Sequence, residues 1–157
     1  MIRLDTPRRW DIVGPTLWLA GVGTGFEATI NYRVSDGHYE LSSYITVGGG
    51  SGEHAQFIKK ISLGTEDWQL DRLFVDVYEA SAKDGSDLYK TTREVIYGPR
   101  IVPGYYGYRR HKFKSGDTLY SIAIEHGVQV YHITRANPQI DLTILYPGEI
   151  LRVPVGM

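Results

Sequence analysis

The chain contains no cysteine, which excludes disulfide bonds and thiolate chemistry. It also has no run of apolar residues long enough to span a membrane, and its N-terminal segment MIRLDTPRRWDIVG lacks the apolar stretch of a signal peptide. We therefore expect no membrane span. We also expect the chain to stay where it is made, unless a leader has been removed, it travels inside another assembly, or a mother cell deposits it on a spore.

A strong excess of either charge is also missing. The 157 residues include 17 basic and 18 acidic side chains, for a formal net charge of −1. Residues 1–98 carry 10 basic and 14 acidic side chains, and residues 109–157 carry 6 and 4. Proteins that bind nucleic acid need a basic patch or stripe, so the sequence predicts no nucleic-acid partner.

Motifs for catalysis or cofactor binding are missing as well. Gly21-Val22-Gly23-Thr24-Gly25 has the start of a dinucleotide fingerprint, but it lacks the third spacing and Phe26 is predicted to open a strand rather than a helix. The carboxylates are scattered, without the pair that glycan cleavage needs. The sequence predicts no enzyme, no metal and no cofactor. The histidines show no metal-ligand spacing and are predicted to be surface residues: His38, His54, His111, His126 and His132.

The N-terminal part of the chain alternates apolar and polar residues. Phe26–Val34 and Tyr39–Val47 each have the period of a strand with one buried face, and Asp36-Gly37 between them is typical of a hairpin turn. The glycine-rich segment 48–52 predicts a flexible loop at the surface. About seven short strands in roughly 100 residues indicate an immunoglobulin-like β-sandwich. The remaining candidate strands are Trp10–Val13, Leu17–Val22, Ala55–Leu63, Leu73–Ala80 and Leu88–Tyr97, and Trp10, Trp18 and Trp68 are expected to fill the core or cap its ends.

The C-terminal part changes to helical spacing. Two short helices are predicted. Asp117 or Thr118 can cap the start of the first, Gly127 can end it in a left-handed conformation, and Asn137-Pro138 ends the second. Short strands at residues 111–114 and 150–153 flank the helices and give the order β-α-α-β. The apolar positions that carry the helical pattern are Leu119, Ile122 and Ala123, then Val130, Ile133 and Ala136.

The same stretch resembles a LysM domain. The resemblance rests on Gly116-Asp117-Thr118-Leu119, Ile122-Ala123, Gly127, Asn137-Pro138 and the segment ILYPGEILRVP at 144–154. It implies a small α+β module that binds polymers containing N-acetylglucosamine, peptidoglycan or chitin, in a shallow groove between two loops. The implied glycan-binding residues are Gly116, Asp117, Thr118, Leu119, Ile140, Ile144, Leu145 and Tyr146, and Glu149 places a carboxylate near this groove.

A second resemblance covers residues from about 10 to 98. The segments GVGTGFEAT at 21–29 and VYEASAKDGS at 77–86 are similar to the immunoglobulin-like domain associated with bacterial spore germination proteins. This resemblance implies binding or scaffolding outside the cytoplasm, without enzymatic activity in the domain. Glu27 and Glu79 are expected to bond backbone groups at strand ends.

We thus predict two domains, an all-β immunoglobulin-like sandwich at residues 1–98 and an α+β LysM domain at 109–157. Between them, residues 99–108 contain two prolines and two glycines and are predicted to form a short, semi-rigid hinge without regular structure. Its tyrosines either pin the linker onto one domain or stack on sugar.

The two resemblances together predict a non-catalytic protein that binds cell-wall glycan through LysM and uses the sandwich as a scaffold or a partner-binding domain. Its expected place is the cell envelope or spore surface. One alternative is an adaptor inside a spore or phage-tail-like particle, in which LysM docks protein and the chain is cytoplasmic or particle-associated. Another is an accessory domain of a wall hydrolase. A single LysM copy predicts weak binding that is strengthened by avidity.

Overall fold

The computed structural model describes residues 1–48 and 52–157. The centre of the glycine-rich segment predicted as a flexible loop lies outside the described residues. The chain begins with eight strands: β1 (Arg3–Thr6), β2 (Ile12–Val13), β3 (Thr16–Gly23), β4 (Thr29–Ser35), β5 (Glu40–Thr46), β6 (Ala55–Ser62), β7 (Arg72–Ala80) and β8 (Asp87–Tyr97). It continues with β9 (Gly107–Lys112), α1 (Leu119–His126), α2 (Val130–Ala136) and β10 (Ile150–Val155).

The first eight strands form two sheets. One has the order β2-β8-β7-β4-β5, and the other has the order β1-β3-β6. All neighbours are antiparallel except β2 and β8, which pair in parallel through Ile12 and Ile96. The predicted β-sandwich is confirmed, and the alternating patterns located most of its strands. The short β1 was not predicted.

The inner faces of the two sheets enclose one hydrophobic core. Leu17 and Leu19 of β3 are fully buried in it, as are Ile30 of β4 and Val75 of β7. Trp68 is the largest fully buried side chain of this core. The prediction that every tryptophan packs inside or at the ends of the core is wrong for Trp18, which points outward and is 47% exposed.

The strand predicted to start at Phe26 starts at Thr29. Phe26–Ala28 form a 3-10 turn in which Ala28 takes a φ of 58°. The Phe26 amide donates to the Glu79 carboxylate at 3.0 Å, which confirms the structural role expected for Glu79. This bond is made across the sheet by a residue of β7, so the alternation of the local sequence could not predict it.

The hairpin between β4 and β5 is fixed by a buried carboxylate. Asp36 is 2% exposed, and its Oδ1 accepts from the amides of His38 and Tyr39, both at 2.8 Å. Its Oδ2 accepts from the amides of Gln69 and Leu70, at 2.6 and 3.1 Å. Burial by itself would raise the pKa of Asp36, but the four amide donors outweigh it and lower the pKa to about 2. The predicted turn residue thus also joins the hairpin to the segment before β7.

The C-terminal part has the predicted order β-α-α-β. Strands β9 and β10 pair antiparallel from Gly107 to Lys112, and both helices pack against them. Thr118 caps α1, with Ser121 completing a reciprocal capping box, and Gly127 ends the helix with a φ of 70°. The core is small and consists of Phe113, Ile122, Ala123, Ile133, Leu151 and Val153.

The two domains are packed against each other. Ile96 of β8, Ile101 and Val102 of the linker, and Ala136 of α2 form one buried cluster. The Arg152 Nη1 donates to the Trp10 carbonyl at 2.6 Å, and Arg135 pairs with Asp71 at 2.8 Å. Residues 99–108 differ from the prediction of an irregular segment, because a 3-10 turn at Gly98–Arg100 opens this segment and β9 begins within it.

Candidate functional site

Two loops of the C-terminal domain contain the residues that the resemblance to LysM assigns to the groove, and they lie side by side at the end of the β9–β10 pair. One follows β9 and leads into α1, and the other connects α2 to β10. The Gly148 amide donates to the Phe113 carbonyl at 2.8 Å, and the Phe113 amide donates to the Glu149 carbonyl at 2.8 Å. These backbone bonds extend the β9 and β10 pairing into the loops and fix their separation.

The first loop is a tight turn held by its own polar groups. Gly116 has a φ of 91°, a conformation that L side chains rarely adopt. Asp117 Oδ2 accepts from the Lys114 amide at 2.9 Å and lies 3.0 Å from His111 Nε2. The hydrogen bond from His111, followed by that from the Lys114 amide, lowers the pKa of Asp117. Thr118 Oγ1 accepts from the Ser121 amide at 3.0 Å, so the side chains of Asp117 and Thr118 both bind within the protein.

The second loop is held in the same way. Asp141 Oδ1 accepts from the Thr143 hydroxyl at 2.6 Å and from its amide at 3.0 Å, and these bonds lower the pKa of Asp141. Glu149 Oε2 accepts from the Tyr146 amide at 3.0 Å. The Glu149 carboxylate expected near the groove therefore closes a turn of this loop.

Asn137 anchors the second loop to the domain core. It is 1% exposed, and its Nδ2 donates to the carbonyls of Ile133 and Arg152 at 2.7 and 2.8 Å. Its Oδ1 accepts from the Arg152 amide at 2.9 Å. The side chain satisfies backbone groups at the end of α2 and in β10, so the Asn-Pro pair that ends the helix also positions the loop that follows.

The predicted glycan-binding residues divide into two groups. Leu119, Ile140 and Leu145 are partly buried and pack against the domain core. Ile144 and Tyr146 extend into solvent and are 55% and 64% exposed. Gly116, Asp117 and Thr118 form the turn and the helix cap of the first loop. The loops thus offer exposed backbone and two exposed apolar side chains, above a base of partly buried aliphatic ones.

A cluster of histidines was missed by the sequence analysis. His111 is 7% exposed, and its Nδ1 lies 2.9 Å from His126 Nε2. The prediction that all five histidines lie at the surface is wrong for His111. The period of β9 gave a signal for this, because His111 alternates with Phe113 and so shares its inward face.

A second concave surface lies on the sandwich. An open groove of about 510 Å³ lies over the three-stranded sheet. It is lined by Asp5 of β1, by Ala20, Gly21 and Val22 of β3, and by Gln56, Phe57 and Ile58 of β6. The groove is mostly apolar and holds one carboxylate. It offers an area for contact rather than a convergent set of polar groups, so the loops of the C-terminal domain remain the better candidate for recognition of a small repeating unit.

Comparison with known families assigns both domains. Gmad2, described as the immunoglobulin-like domain of bacterial spore germination, matches residues 1–86. The LysM domain matches residues 111–154. No curated protein matches the chain, and no solved structure matches it. The first match ends just before β8, which completes the larger sheet.

These matches set the general role of the chain. Both families are non-catalytic binding domains, and LysM supports a general role in binding peptidoglycan or other N-acetylglucosamine glycans and an association with the cell wall. Within residues 1–48 and 52–157, no helix has the length and the apolar character that crossing a membrane requires. The chain belongs to the Gmad2 family of immunoglobulin-like domains of bacterial spore germination and carries a LysM domain after the family domain.

Proposed function

We propose that the chain is a non-catalytic wall-binding protein that holds a peptidoglycan strand in the groove between residues 116–119 and 140–146. The observation that carries this proposal is that the two loops meet at the backbone bonds of Phe113 with Gly148 and Glu149, and that each loop is exposed beyond them, at Gly116 and Thr118 in one and at Ile144 and Tyr146 in the other. An acetamido group needs one donor and one acceptor for its amide and an apolar surface for its methyl group. Backbone groups of the turn and the side chains of Leu119 and Ile144 supply these features.

The fixed geometry of the loops supports this role. Asp117, Asp141 and Glu149 each accept hydrogen bonds from backbone amides of their own loop. These bonds hold each loop in one conformation before a ligand is present. A loop that is ordered before binding loses less conformational entropy when the glycan arrives, which favours binding by a small surface.

The sandwich acts in this proposal as a scaffold that carries a partner. Trp18 and Ile58 point outward from the three-stranded sheet and are 47% and 69% exposed, and Ile58 lines the groove described above. The buried cluster between the domains would hold this face in a fixed orientation relative to the LysM domain and so to the wall. The proposed place of action is the cell envelope or the spore surface, where the LysM domain meets its polymer.

Sedimentation with insoluble peptidoglycan, and in parallel with chitin, tests the glycan site. The variant Ile144→Asp/Tyr146→Ala removes both exposed apolar groups and leaves the core and the helix caps in place. Its matched control is Ile58→Asp/Tyr106→Ala, because Ile58 and Tyr106 are 69% and 64% exposed and lie outside the two loops. We expect the wild type and the control to sediment with peptidoglycan, and the groove variant to stay in the supernatant.

Two results would contradict the proposal. Equal sedimentation of the groove variant and its control would move the binding surface away from the loops. Failure of the wild type to sediment with either polymer, also when it is displayed in many copies on a bead to restore avidity, would exclude wall binding. The chain would then act as an adaptor in which LysM docks protein, and copurification with a multi-protein particle would be the expected finding.

A further inference from the structure

Three side chains with metal-binding atoms meet behind the first loop. His111 comes from β9, and Glu125 and His126 come from the last turn of α1. One ligand atom from each can be chosen so that all three lie within 4.8 Å of one another. The packing of the helix against the strand brings them together, since His111 and Glu125 are 14 positions apart along the chain.

The hydrogen bond from His111 to Asp117 sets which ring nitrogen is free. An ionised carboxylate only accepts hydrogen bonds, so Asp117 Oδ2 at 3.0 Å requires the proton of His111 to be on Nε2. The lone pair of neutral His111 is then on Nδ1, which faces His126 Nε2 at 2.9 Å. A carboxylate behind a histidine, which orients the ring and raises its basicity, is the usual outer partner of a metal-binding histidine.

The distances fit a small divalent cation after a minor adjustment. A tetrahedral zinc ion with Zn–N bonds of about 2.05 Å holds two nitrogens about 3.3 Å apart. His111 Nδ1 and His126 Nε2 would therefore separate by a few tenths of an ångström. The two rings meet edge to face, at an interplanar angle of 86°, so rotation of the half-exposed His126 can accomplish this. The Glu125 carboxylate is exposed and can swing to provide the third ligand.

We propose that His111, Glu125 and His126 form a zinc site that joins β9 to the C-terminal end of α1. Two imidazole nitrogens and one carboxylate oxygen suit Zn²⁺ and not Ca²⁺ or Mg²⁺, which prefer sets made only of oxygen. Three protein ligands leave the fourth position to water or to a group brought by a partner. Metal binding here replaces the proton shared between the two rings and stabilises the LysM domain.

Titration of the metal-stripped full-length protein with Zn²⁺ by calorimetry tests this site. We expect one zinc ion per chain. His126→Asn should weaken binding by more than the roughly 10–100-fold that loss of an outer partner costs, and Asp117→Asn should weaken it within that range while one ion still binds. The matched control is His38→Asn, at an exposed turn of the sandwich. Because Glu125 is exposed, Glu125→Gln provides a second ligand variant that keeps the fold if His126→Asn does not.

Co²⁺ gives a visible absorption signal that a metal site produces and that a histidine pair with a purely structural role does not. With Co²⁺ in place of Zn²⁺, the wild type should show the visible absorption of a tetrahedral nitrogen and oxygen site, and the ligand variants should lose it. Absence of saturable binding at one ion per chain would overturn the proposal, and so would equal zinc affinity in the wild type and the ligand variants. The Ile144→Asp/Tyr146→Ala variant should bind zinc like the wild type, so failure of the glycan proposal and failure of the zinc proposal are separate results.

Discussion

The two domains of this chain hold their backbones in different ways. In the sandwich, the decisive contacts join residues far apart in sequence, such as Asp36 with Gln69, or Phe26 with Glu79. In the LysM domain, the caps and turns lie within a few residues of each other, as in Thr118 with Ser121 and Asp141 with Thr143. The sandwich therefore depends on its shared core, and LysM depends more on local signals.

The two domains also contact each other, and this contact matters for function. LysM has a core of six buried residues, which is small for independent stability, and the cluster of Ile96, Ile101, Val102 and Ala136 adds apolar contact with the sandwich. The sandwich therefore supports the domain that carries the candidate glycan site.

The largest expected effect on stability comes from a substitution in the core of the sandwich. Trp68 is 2% exposed, its Nε1 donates to the Leu63 carbonyl at 3.0 Å, and it packs edge-on against Tyr39 and Tyr97. We expect Trp68→Ala to lower the free energy of unfolding by about 3–5 kcal/mol, because it removes a large buried side chain and leaves a cavity. Urea denaturation followed by circular dichroism measures this. Trp18→Ala, on the outer face, is the control and should cost less than about 1 kcal/mol; equal losses would contradict the assignment of these faces.

An intermediate effect is expected at the contact between the domains. Arg152 Nη1 donates to the Trp10 carbonyl, and Nη2 donates to the Ala136 carbonyl at 2.6 Å. Arg152→Met keeps the aliphatic stem and removes these bonds, and it should cost about 1.5–3 kcal/mol. Calorimetric unfolding should show one transition for the wild type and an earlier LysM transition for the variant. The exposed Arg109→Met on β9 is the control. A variant that still unfolds in a single transition at the wild-type temperature would refute the coupling of the two domains.

The smallest expected effect is a dependence of sandwich stability on acid. The pKa of Asp36 is about 2 in the folded protein and about 3.9 in an unfolded chain. Because the folded value is the lower one, the contribution of Asp36 is fully present above about pH 4, and roughly 2 kcal/mol is lost as the pH falls to about 2. Asp36→Asn should flatten the decline of the unfolding free energy over this range. Glu53→Gln, at an exposed position before β6, should leave the decline unchanged, and an identical profile for all three proteins would contradict the prediction.

Local sequence signals explain how much of the fold was predictable. The start of α1 followed from Asp117 or Thr118, its end from Gly127, and the end of α2 from Asn137-Pro138, since capping and backbone restriction act within one helical turn. The start of α2, where Gln129 is the N-cap residue, was not predicted. The faces of β4 followed from the alternation of Ile30, Tyr32 and Val34, all of which are buried. The glycan-binding residues came from the resemblance to LysM, and their binding role stays a prediction.

The two-domain organisation could be predicted without the structure, and so could the period of each element and the turn residues between them, because these depend on neighbours along the chain. The folded structure was needed to show that β8 lies between β2 and β7, that Phe26 begins a turn held by Glu79, and that His111 meets His126. Each of these depends on a partner from a distant part of the chain. A pattern read within one segment contains no information about which distant segment will cover it.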